Sequence, residues 1–401
     1  MADPLTRFIS FLFSFLIFTL SLLLHHPTTC EAQTLFVFGD GFYDVGNKQF
    51  LSSNVISANA PPYGVTIGEA TGRWSDGLVV PDFLAGFMGI PRIAPILDTK
   101  SDFSNGASFA VAGATVLGSP PETMTLGQQV MKFSENKNKW TDDERSKAVY
   151  LFHIGGDDYL DYAKENPSPS DDQKQSIVDQ IITAIDAAIK AVYGAGGRKF
   201  AFQNLAPLGC LPAVKQEDGE EGDAECVELP SELAALHNEK LIQLLGKLGR
   251  DLKGFQYSYY NFFGLIQRRV HLPETYTFAK GNAACCGTGV YNGTGCGTNS
   301  VCSKPRDYVF FDGKHLTQEA NFQIGQLIWS ADKDVINPIN LRELLFLPLD
   351  IPVIFGSVSN TKASAKDTRS KIHNIYDMGS LEWGTKNQWL YQVDRASSFI
   401  I

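Results

Sequence analysis

The chain has 401 residues, of which 44% are hydrophobic and 19% are charged. This composition excludes an intrinsically disordered protein, and the length is sufficient for at least one large hydrophobic core. The formal net charge is -10 at pH 7, and the lysine and arginine residues form no cluster along the sequence. The chain therefore lacks the basic surface that binds nucleic acid, and no nucleic-acid partner is expected.

Residues 1–32 are predicted to be a signal peptide. Arg7 precedes an apolar run over residues 8–24, and the small-residue cleavage signal CEA follows at residues 30–32. A transmembrane anchor is the alternative, but the run is close to the shortest length that spans a bilayer. We therefore expect a protein of the secretory pathway that has no transmembrane span after cleavage.

Alternating strands and helices are predicted along most of the chain. The clearest helical pattern places isoleucine and valine on one face over residues 177–192, before a glycine-rich stop at 194–197. This alternation predicts an α/β fold with three layers, in which helices cover both faces of a parallel sheet. Beyond about residue 349 the periodicity fades, which indicates a C-terminal extension at 349–401. The predicted buried strands are residues 35–38, 149–154, 200–203 and 255–260.

Polar turns follow two of these strands. The sequence GDGFYDVGN begins at Gly39, and GGDDY begins at Gly155. Ligands of parallel sheets bind at the carboxyl ends of the strands, so both turns are expected to face one crevice.

A carboxylate and an imidazole are spaced as D-x-x-H near the end of the predicted domain. The sequence FFDGKHLTQEA places Asp312 and His315 on one turn, where the carboxylate can fix the tautomer of the imidazole and stabilise its protonated form. Such a pair can serve as the base and orienting group of a hydrolytic triad. By itself the spacing is weak evidence and favours a structural histidine.

Six cysteines follow the predicted signal peptide, an even number that is typical of disulfide-bonded secreted proteins. Four lie in CCGTGVYNGTGCGTNSVC, which favours two bridges within one glycine-rich loop; the adjacent pair is not expected to bond to itself. The other two favour a bridge that closes a second loop. Zinc is the alternative, but paired C-x-x-C motifs and a nearby histidine are lacking, so no metal is expected. The six are Cys210, Cys226, Cys285, Cys286, Cys296 and Cys302.

Two further features concern the surface. Asn292 begins the sequon Asn-Gly-Thr, which predicts a glycoprotein with this loop at the surface. The acidic stretch at residues 216–228 is compatible with calcium, but a solvated loop is the favoured interpretation, and no cofactor is expected.

In order and spacing, the sequence blocks resemble the plant GDSL esterase/lipase family of the SGNH hydrolase superfamily over residues 33–348. The resemblance rests on FVFGDGFYDVGN, TGRWSDGLVVPDFLA, GASFAVAGA, HIGGDDY, LAPLGCLP, LAALHNEKL and YVFFDGKHLTQEAN. The blocks GNKQFL, SFAVAGATVLGSP, MTLGQQVMKF and NLRELL are most similar to the myrosinase-associated and epithiospecifier-modifier branch. The resemblance implies a flavodoxin-like SGNH domain at 33–348.

The resemblance also implies which residues occupy the catalytic positions. The family's nucleophilic serine falls on Gly41, which has no side chain, whereas the acid and base fall on Asp312 and His315. The nearest serines after the first strand, Ser52 and Ser53, lie beyond Asn47 and do not replace it. Loss of the serine of a comparable triad lowers turnover about a millionfold.

The oxyanion donors implied by the family are altered as well. The backbone donor falls on Ala112 or Gly113, and either is expected to be able to donate. The side-chain donor, an asparagine amide in the family, falls on Asp157, whose carboxylate would repel a developing oxyanion. The favoured interpretation of Asp40, Asp44, Asn47 and residues 73–77 is structural, as caps and ties of the turns beside the crevice.

The sequence therefore predicts a catalytically inactive GDSL-type protein of the plant secretory pathway that acts by binding. The resemblance implies luminal partners, such as β-glucosidases, myrosinases or related GDSL proteins, and an influence on their trafficking. The compartment would be the endoplasmic reticulum lumen or the vacuole, or alternatively the extracellular space. The alternatives are an active esterase or lipase with a non-standard nucleophile, and a lectin-like binder of acylated sugars.

Overall fold

A computed structural model describes residues 33–51, 58–118, 121–219, 225–297, 300–351 and 353. The predicted signal peptide, and the predicted extension beyond residue 353, lie outside the described residues. None of the described helices combines the length and the apolar character that crossing a membrane requires.

The central sheet has six strands in the order β2-β1-β3-β4-β5-β8. Neighbouring strands from β2 to β5 are parallel, and β8 pairs antiparallel with β5 at one edge. The predicted α/β fold and the four predicted strands are confirmed, whereas β2 and the antiparallel edge strand were not predicted. The bounds are β1 Leu35–Gly39, β2 Gly106–Ser108, β3 Val149–His153, β4 Lys199–Gln203, β5 Gln256–Tyr260 and β8 Ile336–Asn337.

A small second sheet pairs two parallel strands, β6 Lys280–Ala284 and β7 Tyr308–Phe310. The α-helices among the described residues flank the central sheet. They are α1 Val80–Met88, α2 Leu126–Asn136, α3 Asp142–Lys147, α4 Gly156–Glu165, α5 Asp171–Gly194, α6 Pro212–Asp218, α7 Glu228–Asp251, α8 Phe262–His271, α9 Gln318–Ser330 and α10 Leu341–Phe346.

Helix α5 shows how local sequence sets these elements. Its N-terminus is capped by the side chain of Ser170, which accepts a hydrogen bond from the N–H of Gln173. The chain leaves the helix through Gly196, whose φ of 112° is accessible mainly to glycine. The apolar face predicted from the sequence is buried, through Val178, Ile181, Ile185, Ala188, Ile189 and Val192.

Aromatic side chains on neighbouring strands form much of the core. Phe38 lies opposite Phe152, which in turn lies opposite Phe202, because the parallel register places these residues side by side. Their ring centroids are 4.8 Å and 5.3 Å apart, and the rings are stacked. This continuous packing fixes the carboxyl ends of β1, β3 and β4 relative to one another.

The packed domain continues past residue 348. The Nε2 amide of Gln256 donates hydrogen bonds to the carbonyl oxygens of Pro348 and Ile351, at 2.6 Å and 2.8 Å. Val353 is 6% exposed. The domain therefore reaches at least Val353, a few residues beyond the boundary expected from the fading periodicity.

Candidate functional site

The turn after β1 is held by polar side chains that are themselves buried. Asp44 accepts hydrogen bonds from the N–H groups of Gly46 and Asn47, at 2.8 Å and 2.6 Å. The Asn47 amide donates to the carbonyl oxygens of Ser108 and Ala110, at 2.8 Å and 3.0 Å. These bonds fix the turn to the strand β2 region, which is the structural role predicted for Asp44 and Asn47.

Residues 73–77, which were predicted to hold a loop beside the site, also have a structural role. Arg73 forms a buried bidentate ion pair with Asp82 of α1, with both N–O distances at 2.7 Å, and it donates to the carbonyl oxygen of Val45 at 3.2 Å. The guanidinium therefore joins the start of α1 to the turn that contains Gly41.

Asp312 and His315 form a hydrogen-bonded dyad, as the sequence predicted. Both carboxylate oxygens of Asp312 lie 2.9 Å from His315 Nδ1, and Tyr63 donates its hydroxyl to Asp312 Oδ2 at 2.8 Å. Burial alone would raise the pKa of Asp312, but the charge and hydrogen bonds of His315 and two backbone N–H groups lower it to about 2. Asp312 is therefore ionised at neutral pH and orients the imidazole.

The imidazole of His315 occupies the space where a side chain at position 41 would lie. A Cβ atom built on Gly41 would overlap His315 Nε2 and lie 3.0 Å from His315 Cδ2. The ring is flanked by Trp74 and Phe42, whose ring centroids lie 5.2 Å and 5.8 Å away. Among the described residues His315 Nε2 has no hydrogen-bond partner, so none of these residues positions a hydroxyl or thiol there as a nucleophile.

The structure corrects the expectation for the backbone oxyanion donor. The N–H of Ala112 donates to Asp44 Oδ2 at 2.8 Å, so it is not available to an oxyanion. The N–H of Gly113 makes no hydrogen bond among the described residues, and this residue adopts a φ of 77°. Of the two candidates, Gly113 is the one that remains.

Asp157, at the position of the missing amide, is paired with a lysine that the sequence did not single out. Lys314 Nζ donates to Asp157 Oδ1 at 2.8 Å, and the carboxylate raises the pKa of Lys314. Asp157 lies in the first turn of α4, where the helix dipole also favours a carboxylate. Lys314 could have been noticed because it lies between Asp312 and His315, but a partner 157 residues away in the sequence leaves no local signal.

Asp158, the next residue, anchors α4 to the loop after Gly113. Its carboxylate accepts hydrogen bonds from the N–H groups of Val116 and Leu117, both at 2.8 Å. Burial raises the pKa of Asp158 to about 6, although these bonds act in the opposite direction.

A second pair of buried groups lies beneath the site. Asp40 Oδ1 is 4.0 Å from His153 Nε2. Burial raises the pKa of Asp40, and the negative charge of Asp157 raises it further. Burial lowers the pKa of His153 to about 4. His153 is therefore neutral at neutral pH and does not supply a second charged base.

The six cysteines form three disulfides: Cys210–Cys226, Cys285–Cys302 and Cys286–Cys296. The predicted grouping, with two bridges in the glycine-rich loop and one closing a second loop, is confirmed. His271 lies near the first disulfide, but sulfurs bonded to each other are not thiolate ligands.

Asn292 lies within the same loop but is not freely extended into solvent. It is partly buried, and its Nδ2 atom, which would carry a glycan, donates to the carbonyl oxygen of Ala284 at 2.8 Å. Glycosylation at Asn292 stays a prediction.

Fold and site together define a serine-hydrolase scaffold that keeps the oriented histidine and lacks the nucleophile. Residues 35–328 match the family model described as GDSL-like lipase/acylhydrolase. The chain therefore belongs to the GDSL lipase/acylhydrolase family.

The chain is also similar to curated proteins of Arabidopsis thaliana. It is 65% identical to "Inactive GDSL esterase/lipase-like protein 25" over 96% of this chain and 92% of the relative. It is 40% identical to "Inactive GDSL esterase/lipase-like protein 23" over 92% and 98%, and 41% identical to "GDSL esterase/lipase ESM1" over 78% and 83%. With glycine at the nucleophile position, the chain is a pseudoenzyme of this family.

Proposed function

We propose that this chain is a catalytically inactive binding protein of the plant secretory pathway. It binds luminal proteins, of the β-glucosidase and myrosinase type or related GDSL proteins, and influences their trafficking and the organisation of the endomembrane system. Its compartment is the endoplasmic reticulum lumen or the vacuole, with the extracellular space as the alternative. The choice of partners rests on the resemblance to one branch of the family.

The observation that carries this proposal is the packing of His315 over Gly41. A hydrolase that had lost only its serine would be expected to keep an open space above that position, yet here the imidazole fills it. The surrounding scaffold is nevertheless retained, including the buried Asp44 and Arg73 ties and three disulfides. A retained fold without a nucleophile supports a role in binding, and disulfides support an oxidising, luminal environment.

The proposal is tested by purifying the tagged protein from plant tissue and identifying co-purifying luminal proteins by mass spectrometry. A His315→Ala variant lacks the dyad, and its partners should be retained. A Cys210→Ser/Cys226→Ser variant lacks the bridge between the turn after β4 and the start of α7, and its partners should be reduced.

The opposite ranking of the two variants would contradict a binding role. Recovery of no glucosidase-type or GDSL protein with the wild-type chain would contradict the proposed class of partner. Hydrolysis of a short p-nitrophenyl ester by the wild-type protein, abolished in His315→Ala, would favour the esterase alternative instead.

A further inference from the structure

The turn that carries the dyad is joined to helix α4 by an ion pair that the proposed function does not use. Lys314 and Asp157 are 2.8 Å apart, and their side chains are 45% and 21% exposed, so the pair lies at the protein surface. Within the described part of the chain, the ammonium of Lys314 has no other hydrogen-bond acceptor than Asp157.

Each end of this pair belongs to a locally fixed segment. On one side, Asp312 Oδ1 accepts hydrogen bonds from the N–H groups of Lys314 and His315, at 2.9 Å and 2.7 Å, which closes a tight turn. On the other side, Asp157 is in the first turn of α4, which Asp158 anchors to the loop at residues 116–117.

His315 directly follows Lys314 in the turn formed by residues 312–315, which we call the dyad turn. If the dyad turn moved away from α4, His315 would leave the space over Gly41, because its orientation is set by Asp312 within the same turn. The turn is also held by the Ala213 N–H, which donates to the carbonyl oxygen of Gly313 at 2.8 Å, and by the Tyr63 hydroxyl on Asp312. The contact with α4 is therefore the exposed part of what fixes the position of the ring.

We propose that the Lys314–Asp157 ion pair is a latch that keeps the dyad turn closed, with His315 filling the space of the missing side chain. When the pair is broken, the exposed side of the turn loosens and His315 Nε2 becomes more accessible. The latch thus limits access to His315, in a site that has no nucleophile for this base to activate. This inference does not depend on which partner the protein binds.

The test measures the reaction of His315 with diethyl pyrocarbonate, which acylates neutral imidazole, at about pH 8. Asp157→Asn and Lys314→Met each break the pair. Modification of His315 should be about two- to fivefold faster in both variants than in the wild type, the ratio that corresponds to a partly exposed ion pair. Lys314→Arg keeps the charge and should react as the wild type does.

Other histidines provide internal controls, read by peptide mass spectrometry. The exposed His271 reports the reagent dose, and the buried His153 and His237 should stay protected in every folded variant. The double variant Asp157→Asn/Lys314→Met should react no faster than the single variants, since both remove the same contact.

Unchanged modification of His315 in the folded Asp157→Asn variant would overturn the latch. Exposure of His153 and His237 in this nearly isosteric variant would also overturn it, because the pair would then be required for folding as a whole.

Discussion

At the scale of single residues, glycine at position 41 changes the packing of the site as well as its chemistry. The sequence predicted the missing nucleophile and the surviving dyad, because both follow from the order of the blocks. It did not predict that the imidazole lies where a Cβ would be. That contact depends on how a turn near residue 312 meets a turn near residue 41, which no local pattern encodes.

Any side chain at position 41 should therefore destabilise the protein. Gly41→Ala must displace His315 from between Trp74 and Phe42, and we expect a loss of about 1–3 kcal/mol in unfolding free energy, as for other overpacked sites. The measurement is urea denaturation. Gly86→Ala is the matched control, because a Cβ there meets nothing within 4 Å and the residue lies in helix α1; it should gain about 0.5–1 kcal/mol. Equal stability of Gly41→Ala and the wild type would show that the ring moves freely.

Asp158 should make stability depend on pH. Burial raises its pKa to about 6 from 3.8, so the folded state holds this proton more tightly than the unfolded state does. Its contribution to stability is fully present below about pH 4 and is lost as the pH rises through about 6, a loss of about 3 kcal/mol. In Asp158→Asn this loss should be absent.

The check is the difference in unfolding free energy between about pH 4 and about pH 7, for the wild type and for Asp158→Asn. Asp172→Asn, on the exposed face of α5, controls for the removal of one carboxylate. Parallel pH curves for the wild type and Asp158→Asn would contradict the shifted pKa.

At the scale of elements, the four predicted strands all belong to the central sheet, and four other strands were not predicted: β2 and β8 of that sheet, and β6 and β7 of the second sheet. Of these, β2 and β8 are too short to show a pattern, because β2 has the sequence GAS and β8 has the sequence IN. Their conformation is set by pairing, of β2 with β1 and of β8 with β5. A hydrogen-bonded neighbour is a tertiary feature that the sequence of such a short segment does not contain.

The glycine-rich disulfide loop packs against the dyad turn through a small apolar cluster. Cys285 and Cys286 are buried in one apolar cluster with Tyr63 and Phe311. Tyr63 donates to Asp312, and Phe311 precedes it, so the cluster connects the disulfides to the dyad. The cysteine spacing predicted the bridges, but it gave no indication that the bonded cysteines would pack against the dyad turn.

Removal of one of these bridges should therefore lower stability and loosen the dyad. For Cys285→Ser/Cys302→Ser, which opens a loop with a sequence separation of 17, we expect a loss of about 3 kcal/mol by denaturation. Modification of His315 by diethyl pyrocarbonate should also increase. In Cys210→Ser/Cys226→Ser, with a separation of 16, the loss of stability should be similar and His315 should be less affected. Equal reactivity of His315 in both variants would contradict the specific support by the glycine-rich loop.

At the scale of the whole molecule, the fold of a hydrolase is retained while its reaction centre is altered at separate places. The nucleophile position is on the turn after β1, the backbone donor is on the loop after β2, and the side-chain donor is on α4. The sheet brings these places together, and the bonds of Asp44 to Ala112 and of Asp158 to residues 116–117 join them. Their identities were predictable from the sequence, whereas the engagement of Ala112 by Asp44 and of Asp157 by Lys314 was not, because each partner is remote in the chain.

Restoring activity should accordingly require changes on more than one element. Gly41→Ser alone supplies a hydroxyl but must displace His315, and it leaves no amide at position 157, so little ester hydrolysis is expected. Adding Asp157→Asn supplies the donor and frees the dyad turn, and this double variant should exceed Gly41→Ser by about a hundredfold or more. Gly41→Ser/Lys314→Met frees the turn without adding a donor, so its gain over Gly41→Ser should be only about two- to fivefold. All three variants are measured by hydrolysis of a p-nitrophenyl ester and by labelling with a fluorophosphonate. The wild type, which has no serine at position 41 and should not be labelled, is the reference. If Gly41→Ser matched the Asp157→Asn double variant, position 157 would not face the oxyanion, since the added amide would have stabilised nothing.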